Sequence, residues 1–459
     1  MRKLTDKERA MNRQKNIRQM LGVLLTLCCL LAPGHVGAQS AGNPDGFNLP
    51  YSQFGVGLSE LPYNVPMVSR MGGVTLTRAG HNYINPFNPA SYASIEMESF
   101  VFDMGVGVQM TQLSDSDKSL RDGDGNISYI MAGFPVARWM KVAVGLMPYS
   151  SMNYQSQKSQ TGGAYYNMNS VYSGEGGATM IFLGSAFNLM GKSGEGRRLQ
   201  AGFNIDYLTG RMNRKLTYRF LGTDSTYFMN KYREKETDIS SFLFDLGVQY
   251  WEPLGEKYTL GVALTYRPHR ESEVDDEGMI YTLSDTIYPA PGSSTSFTSI
   301  LEQDHTIGVG VSIERNRRWQ VAFDASWAGW SGLRYREGSA LPILGDDATR
   351  SGLWGRYAIG VEKIGNLDAA TYWGRISYSL GAHTERGVLR LNLQGVDHVI
   401  NEWGIGGGVT LPMRKGQSQL TISVGYSHLG DQDLLLRECI SFGLSVSTGD
   451  KWFVKRKYN

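Results

Sequence analysis

The residues that could do chemistry in this 459-residue chain are few and scattered. Past residue 38 the histidines are His81, His269, His305, His383, His398 and His428. No two stand at the His-x-x-x-His spacing that puts two imidazoles on one helix face for a metal. No Gly-x-Ser-x-Gly turn presents a nucleophilic serine, and no nucleotide-binding glycine loop occurs. Asp397-His398 is the one suggestive acid–imidazole pair, and a solvated loop accounts for it. Cys28 and Cys29 fall in the N-terminal apolar stretch and Cys439 stands alone, which leaves no disulfide framework. The expectation is a protein that is not an enzyme and uses no cofactor and no metal.

The elements that carry these residues are strands. Glycine supplies 56 of 459 residues and aromatics 11%, a pairing common in twisted antiparallel sheet. Charged side chains make up 19%, below the roughly 25% of soluble domains. With 41% apolar residues and a formal charge of +2 the chain has the means to bury a core, which excludes disorder. Its 45 basic and 43 acidic side chains leave no surplus to neutralise phosphates, so nucleic acid is not an expected partner.

Residues 1–38 read as a signal peptide. Arg2, Lys3, Lys7, Arg9, Arg13, Lys15 and Arg18 form a basic n-region, Met20 to Leu31 is apolar, and Val36-Gly37-Ala38 is a small-x-small cleavage site. The apolar stretch is shorter than the ~18 residues that span a bilayer. Cys28 lacks the preceding small-residue box of a lipoprotein signal. Without the signal the chain is mildly acidic. No later run is long and apolar enough for a spanning helix, so an exported chain that belongs in a membrane must cross it as a closed barrel.

Alternation supports that solution. Leu420, Ile422, Val424 and Tyr426 alternate with Thr421, Ser423, Gly425 and Ser427. Tyr258, Leu260, Val262, Leu264 and Tyr266 alternate with Thr259, Gly261, Ala263 and Thr265. The runs 440–447 and 319–328 repeat the pattern. A sandwich would put Lys and Glu on its polar face, whereas glycine, serine and alanine suit the inside of a closed wall. The pattern predicts fourteen strands, near 99–112, 123–136, 139–155, 176–190, 198–217, 237–252, 257–273, 298–314, 318–330, 352–365, 370–383, 400–412, 417–429 and 437–448. Short connections alternate with long polar ones at 156–175, 218–236, 274–297 and 331–351. Outer-membrane barrels have short periplasmic turns and long external loops, so both barrel ends are expected in the periplasm of a Gram-negative bacterium. Asp103, Asp206, Asp245, Asp324, Arg356, Glu362 and Arg375 fall on the inward parity, where they would tie the wall to whatever fills it or line a solute path.

The expected fold is therefore all-β, a 14-stranded antiparallel transmembrane β-barrel over 99–459, preceded by an N-terminal lumenal hatch over 39–98. That segment has no spanning strand but recurrent apolar residues such as Phe47, Tyr51, Phe54, Leu58, Leu61, Tyr63, Met71, Tyr83 and Phe87, as a plug needs. Asn88-Pro89-Ala90 reads as a helix start, with Asn as N-cap and Pro at the first position.

The segment Tyr51 to Gly57, the Met71-Gly72-Gly73 step and the run Asn85 to Tyr92, which holds the hatch motif Asn88, Pro89 and Ala90, resemble the hatch of FadL-type long-chain fatty-acid transporters. They are most similar to the branch common in Bacteroidetes, as are Ile400 to Ile405, Val409 to Pro412 and the ending Trp452 to Tyr458. The resemblance implies passive uptake of hydrophobic molecules, with lateral exit where the third strand is kinked. Gly145 and Pro148 are the candidates for that kink, because proline lacks a ladder donor and sits at bulges or edges. The expected partners are the outer-membrane bilayer and a hydrophobic small molecule. Tyr154, Tyr165, Tyr166, Tyr172, Tyr227 and Phe228 are capture-site or interface aromatics in the long loops. The alternative is a PorV-like barrel serving as a protein-secretion component or surface-protein shuttle; strand pattern does not separate the two, and the sequence names no protein partner.

Overall fold

The computed structural model describes residues 50–451 except 60, 116–118, 163–165, 193–194, 222–229, 284–289, 339–351, 394–395, 414–416 and 433. The expected signal peptide, the first part of the expected hatch, the 452–458 run, Tyr165, Tyr227 and Phe228 lie outside the described residues.

Fourteen antiparallel strands close on themselves. They are β1 (Ser99–Ser114), β2 (Ser119–Ala137), β3 (Met140–Gly162), β4 (Tyr166–Lys192) and β5 (Glu195–Leu221). Next come β6 (Asn230–Leu254), β7 (Tyr258–Arg267, resuming as Arg270–Leu283) and β8 (Ala290–Gln303, resuming as Thr306–Arg315). Then follow β9 (Trp319–Ala328, resuming as Leu333–Arg336), β10 (Trp354–Lys363) and β11 (Ser377–Leu393). The last are β12 (Val396–Met413), β13 (Ser418–Asp431) and β14 (Leu435–Lys451). Closure is made by β14 on β1, in unbroken register from Leu436↔Ser114 to Lys451↔Ser99.

The alternation read from sequence sets the faces. On β8 Ile307, Val309, Val311 and Ile313 point outward and are exposed, and so do Trp319, Val321 and Phe323 on β9. Their neighbours Ser312, Ala322 and Asp324 are buried inside. The outer belt is thus apolar, as a lipid solvent requires, while the inner face carries small and polar residues together with buried apolar ones such as Met147, Phe182 and Leu208. Tight turns join the strands at one end; Asn316 and Arg317 both take positive φ (52° and 53°), the twist a short hairpin needs.

Two expectations need correction. The long polar connections 156–175, 218–236 and 274–297 are largely strand, because β3 to β8 continue past the apolar belt as paired hairpins. Outside lipid the outer face can be charged: Lys215 sits 3.5 Å from both Glu175 and Glu234, and Arg211 reaches Glu236 and Asp238 at 2.9 and 2.8 Å. Such ladders read as loop when only apolar alternation is counted. The eleventh strand, expected over 370–383, runs over Ser377–Leu393, and Tyr372–Arg375 is a 3₁₀ turn. Arg375 accordingly does not face the lumen from a strand: its Nε donates to Ala369 O at 2.9 Å within the turn.

Residues 50–95, termed the hatch segment for its position alone, pack inside the wall. Val65, Met67, Val68, Ile84, Tyr92 and Ile95 share one buried cluster with wall residues Val101, Met131, Met147 and Phe182. Asn88 caps a 3₁₀ turn over Pro89–Ser94, its side-chain oxygen accepting from Ala90 N at 3.2 Å, while Asn88 Nδ2 donates to Leu76 O at 2.8 Å.

Candidate functional site

The lumen holds two layers. The lower one, toward the tight turns, is an ionic seat for the hatch. Arg70 Nη1 donates to Glu362 Oε1 at 2.6 Å and to Ser379 Oγ at 2.5 Å, and Arg78 reaches Glu362 Oε2 and, at 3.1 Å, Gln320. Asp324 accepts from the backbone N–H groups of Thr75 and Leu76 at 2.5 and 2.8 Å. Arg356 donates to Gly73 O and to Tyr63 Oη. Asp103 accepts from Tyr129 Oη at 2.9 Å and from Ile84 N at 3.4 Å. The wall must also let the hatch backbone close: a Cβ on Gly406 would lie 2.0 Å from Ser69 O, and one on Gly381 2.3 Å from Met71 O. Only glycine fits such an approach.

Asp206 and Asp245 face the lumen on neighbouring strands and share one cation. Arg267 holds Asp245 in a fork at 2.6 and 2.5 Å and lies 3.6 Å from Asp206. Four of the seven inward charges read from the sequence therefore meet the hatch, two meet Arg267, and Arg375 lies in a turn. The partners Arg70, Arg78 and Arg267 were not singled out from sequence; the signal available was two arginines inside an otherwise apolar plug, which must find acids.

Above the seat is a cavity of about 400 Å³. The hatch gives it a largely apolar floor, including Phe54, Leu58, Leu61 and Phe87, and the wall adds Tyr149, Met180, Trp330 and Leu333. One side is polar. His383 stacks on Tyr63 with centroids 3.9 Å apart, and Tyr63 Oη donates to Glu385 at 2.6 Å. Burial, and then Glu385, push the Tyr63 hydroxyl well above its ordinary range, so it stays a donor. Glu385 lies directly opposite Glu402 across β11–β12, and Arg356, Arg390 and Arg437 also line the space.

The wall beside this cavity is interrupted. Pairing of β2 with β3 runs from Ala137↔Met140 to Ile130↔Leu146 and ends there. Beyond that point β2 pairs with β1 and β3 with β4, but not with each other. Gly145 is the second-last paired residue; its Cβ would lie 2.7 Å from Met131 and 2.8 Å from Phe182. Pro148, without an N–H, begins a bulge to Ser150 that switches the inward parity from Met147 and Tyr149 to Ser150, Met152 and Tyr154. The hatch covers part of the freed edge, with Leu58↔Ser151 and Ser59↔Ser150 paired and Ser150 Oγ donating to Val56 O at 2.7 Å. Asp122, Asp124 and Asn126 of β2 and Ser150 and Ser151 of β3 all reach the cavity across this seam. Tyr154 is buried on the inner face of β3, and Tyr172 packs half-buried on β4, so neither stands in a loop.

No sequence among the curated proteins matches the chain. Among solved structures it is similar to a Pseudomonas aeruginosa FadL homologue, with TM-score 0.55 and 14% identity over 86% of this chain and 99% of that one. It is also similar to the Ralstonia pickettii toluene transporter TbuX, with TM-score 0.53 and 12% identity over 83% of this chain and 97% of the other. The Pseudomonas putida toluene transporter TodX gives TM-score 0.51 and 15% identity over 84% and 97%. At these identities the likeness is one of fold: a barrel of the FadL type. The family model that fits the sequence itself carries a different name, BamG, and matches residues 18–459, hatch and wall together. On that match the chain belongs to the BamG family.

Proposed function

We propose that this protein is an outer-membrane channel for hydrophobic small molecules, long-chain fatty acids among them, that releases them sideways into the bilayer at the β2–β3 seam. The observation that carries this reading is the coincidence of the cavity with the seam. A solute held over Phe54, Leu58 and Leu61 lies against a stretch where two neighbouring strands stop pairing. Apolar surface supplies capture at about 25 cal/mol per Å² removed from water, and Arg356, Arg390 or Arg437 would hold a polar end. The fold shared with transporters named for toluene and with a FadL homologue supports the same reading. So does the resemblance of Tyr51–Gly57 and Asn85–Tyr92 to the hatch of the Bacteroidetes-like branch. In this reading Asn88, Pro89 and Ala90 set the hatch, Gly145 and Pro148 shape the exit, and the tight turns with both barrel ends face the periplasm.

The test is native mass spectrometry with lipid extraction on the full chain taken from outer membranes. A stoichiometric apolar compound, lost on Phe54→Ala with Leu61→Ala, supports the channel. A ligand-free barrel that brings down a protein overturns it in favour of a secretion component or surface-protein shuttle. One observation favours that second reading: the ion-locked hatch fills the lower lumen while charged hairpins project above the belt.

A further inference from the structure

Strands β7 and β8 are neighbours, and each breaks once, β7 between Arg267 and Arg270 and β8 between Gln303 and Thr306. The break in β7 presents His269 beside Glu271 and, across the pair, Glu302. One ligand atom from each, a ring nitrogen and two carboxylate oxygens, lie within 4.8 Å of one another. Glu271 and Glu302 are direct register partners. Like charges directly opposite destabilise a strand pair, and the register is not free to slip, because one step would turn Val274 and Leu301 out of the interior. The backbone therefore holds two carboxylates together against their repulsion.

Two acids alone would be an ordinary surface feature; the histidine and what stands behind it change the chemistry. Asp304 Oδ1 lies 4.0 Å from His269 Nδ1, and Asp304 Oδ2 is itself fixed by the Gly329 N–H at 2.5 Å. At that distance the two groups make no direct hydrogen bond, and Asp304 stands on the side from which an outer carboxylate orients a metal-bound histidine. The backbone N–H of His269 donates to His305 Nδ1 at 3.2 Å, which pins the segment that carries the ring. The competitors are two arginines: Arg334, the register partner of Glu302 on β9, and Arg336, whose Nη2 lies 3.5 Å from Glu271 Oε1 with both side chains about half exposed. An exposed pair of that kind is weak and yields to a better-placed cation.

We propose that His269, Glu271 and Glu302 form a surface site for a zinc-type divalent cation, with open coordination toward solvent. One imidazole nitrogen and two carboxylate oxygens match zinc's usual donors, and fall short of the six to eight oxygens that calcium takes. The site lies on the outer face of the wall and is separate from the cavity. The sequence could not show it, because strand spacing and a cross-strand partner replace the His-x-x-x-His pattern of a helix.

The full chain, purified in detergent without a polyhistidine tag and stripped with chelator, is titrated with zinc chloride in a calorimeter. One equivalent is expected to bind. His269→Ala, and separately Glu271→Gln with Glu302→Gln, should each weaken binding by about tenfold or more, while His398→Ala leaves it unchanged. Heat-modifiable gel migration verifies that each variant is a folded barrel. A folded wild-type chain that takes up no stoichiometric zinc, or equal binding in all variants, overturns the site. The readout is metal binding alone, so the outcome is independent of any transport.

Discussion

Glu362→Gln removes the one negative charge that faces both hatch arginines, and it does so with almost no change in volume. The Arg70 and Arg78 side chains are 3% and 6% exposed, so water cannot replace the lost carboxylate. Breaking a buried pair from one side costs about 3–5 kcal/mol. Arg70 keeps Ser379 and Arg78 keeps Gln320, which places the expected loss toward the lower end. At about 1.4 kcal/mol per decade, even about 3 kcal/mol lowers the seated-to-unseated ratio roughly a hundredfold. The wall's own hydrogen bonds are untouched, so the barrel should persist while the hatch loosens. Single-channel recording in planar bilayers reads this directly: rare openings in the wild type, frequent ones in Glu362→Gln. Arg70→Met, Arg78→Met and Glu362→Leu together remove all three charges and are expected to restore the quiet state, since an apolar replacement of a buried ion cluster is often neutral or stabilising. Equal opening frequency in wild type and Glu362→Gln would refute the ionic seat.

Other substitutions test separate parts of the argument. Gly406→Ala drives a methyl into Ser69 O and should leave the hatch open to protease, whereas Gly425→Ala meets only the rotatable Ser441 Oγ at 2.7 Å and should not; equal protection in both would remove the close-approach argument. Lys215→Ala deletes two partly exposed ion pairs of the long hairpins and is expected to change stability by less than about 1 kcal/mol in urea unfolding, with a larger loss counting against their description as solvated ladders.

What the sequence made legible follows from what a strand in lipid must do. Val262 and Leu264 had to face outward and Ala263 inward, and the period of two says so without any structure. That rule stops at the lipid boundary. Above it Arg211, Lys215 and Glu236 lie on the outward face of paired strands, and their polarity reads as loop. Arg375 differs for another reason: it keeps the parity of Ser377 and Ser379 when the alternation with Tyr378 and Leu380 is continued backward, but Tyr372–Arg375 is a 3₁₀ turn and the strand begins only at Ser377. Inside the barrel, the acids were visible as misplaced charges on the inward parity, but their partners were not. Arg70 and Glu362 are 292 residues apart, and only the folded hatch joins them.

The two layers of the lumen differ in how firmly they hold the hatch, and this decides which part can move. Below, residues 65–78 are tied by buried guanidinium–carboxylate pairs and by glycines that let backbone touch backbone. Above, the segment over the seam is tied by single hydrogen bonds rather than buried guanidinium–carboxylate pairs: a two-residue strand, the Ser150–Val56 bond, Asn153 N to Ser52 Oγ at 3.1 Å, Arg214 Nη2 to Gly55 O at 2.6 Å and Tyr51 Oη to Leu435 O at 2.6 Å. Local opening follows the least-held segment, so the edge at Ser150–Ser151 should come free while Arg70 and Arg78 stay seated. Hydrogen exchange on the barrel in detergent is expected to show the amides of Leu58 and Ser59 exchanging well before those of Arg70 to Gly73. A cysteine pair at Leu58 and Ser151, whose Cα atoms are register partners and so within disulfide reach, should then lock the seam and abolish ligand exchange until reduced. If exchange continues in the oxidised pair, solute does not leave past this edge, and the seam is a structural irregularity rather than an exit.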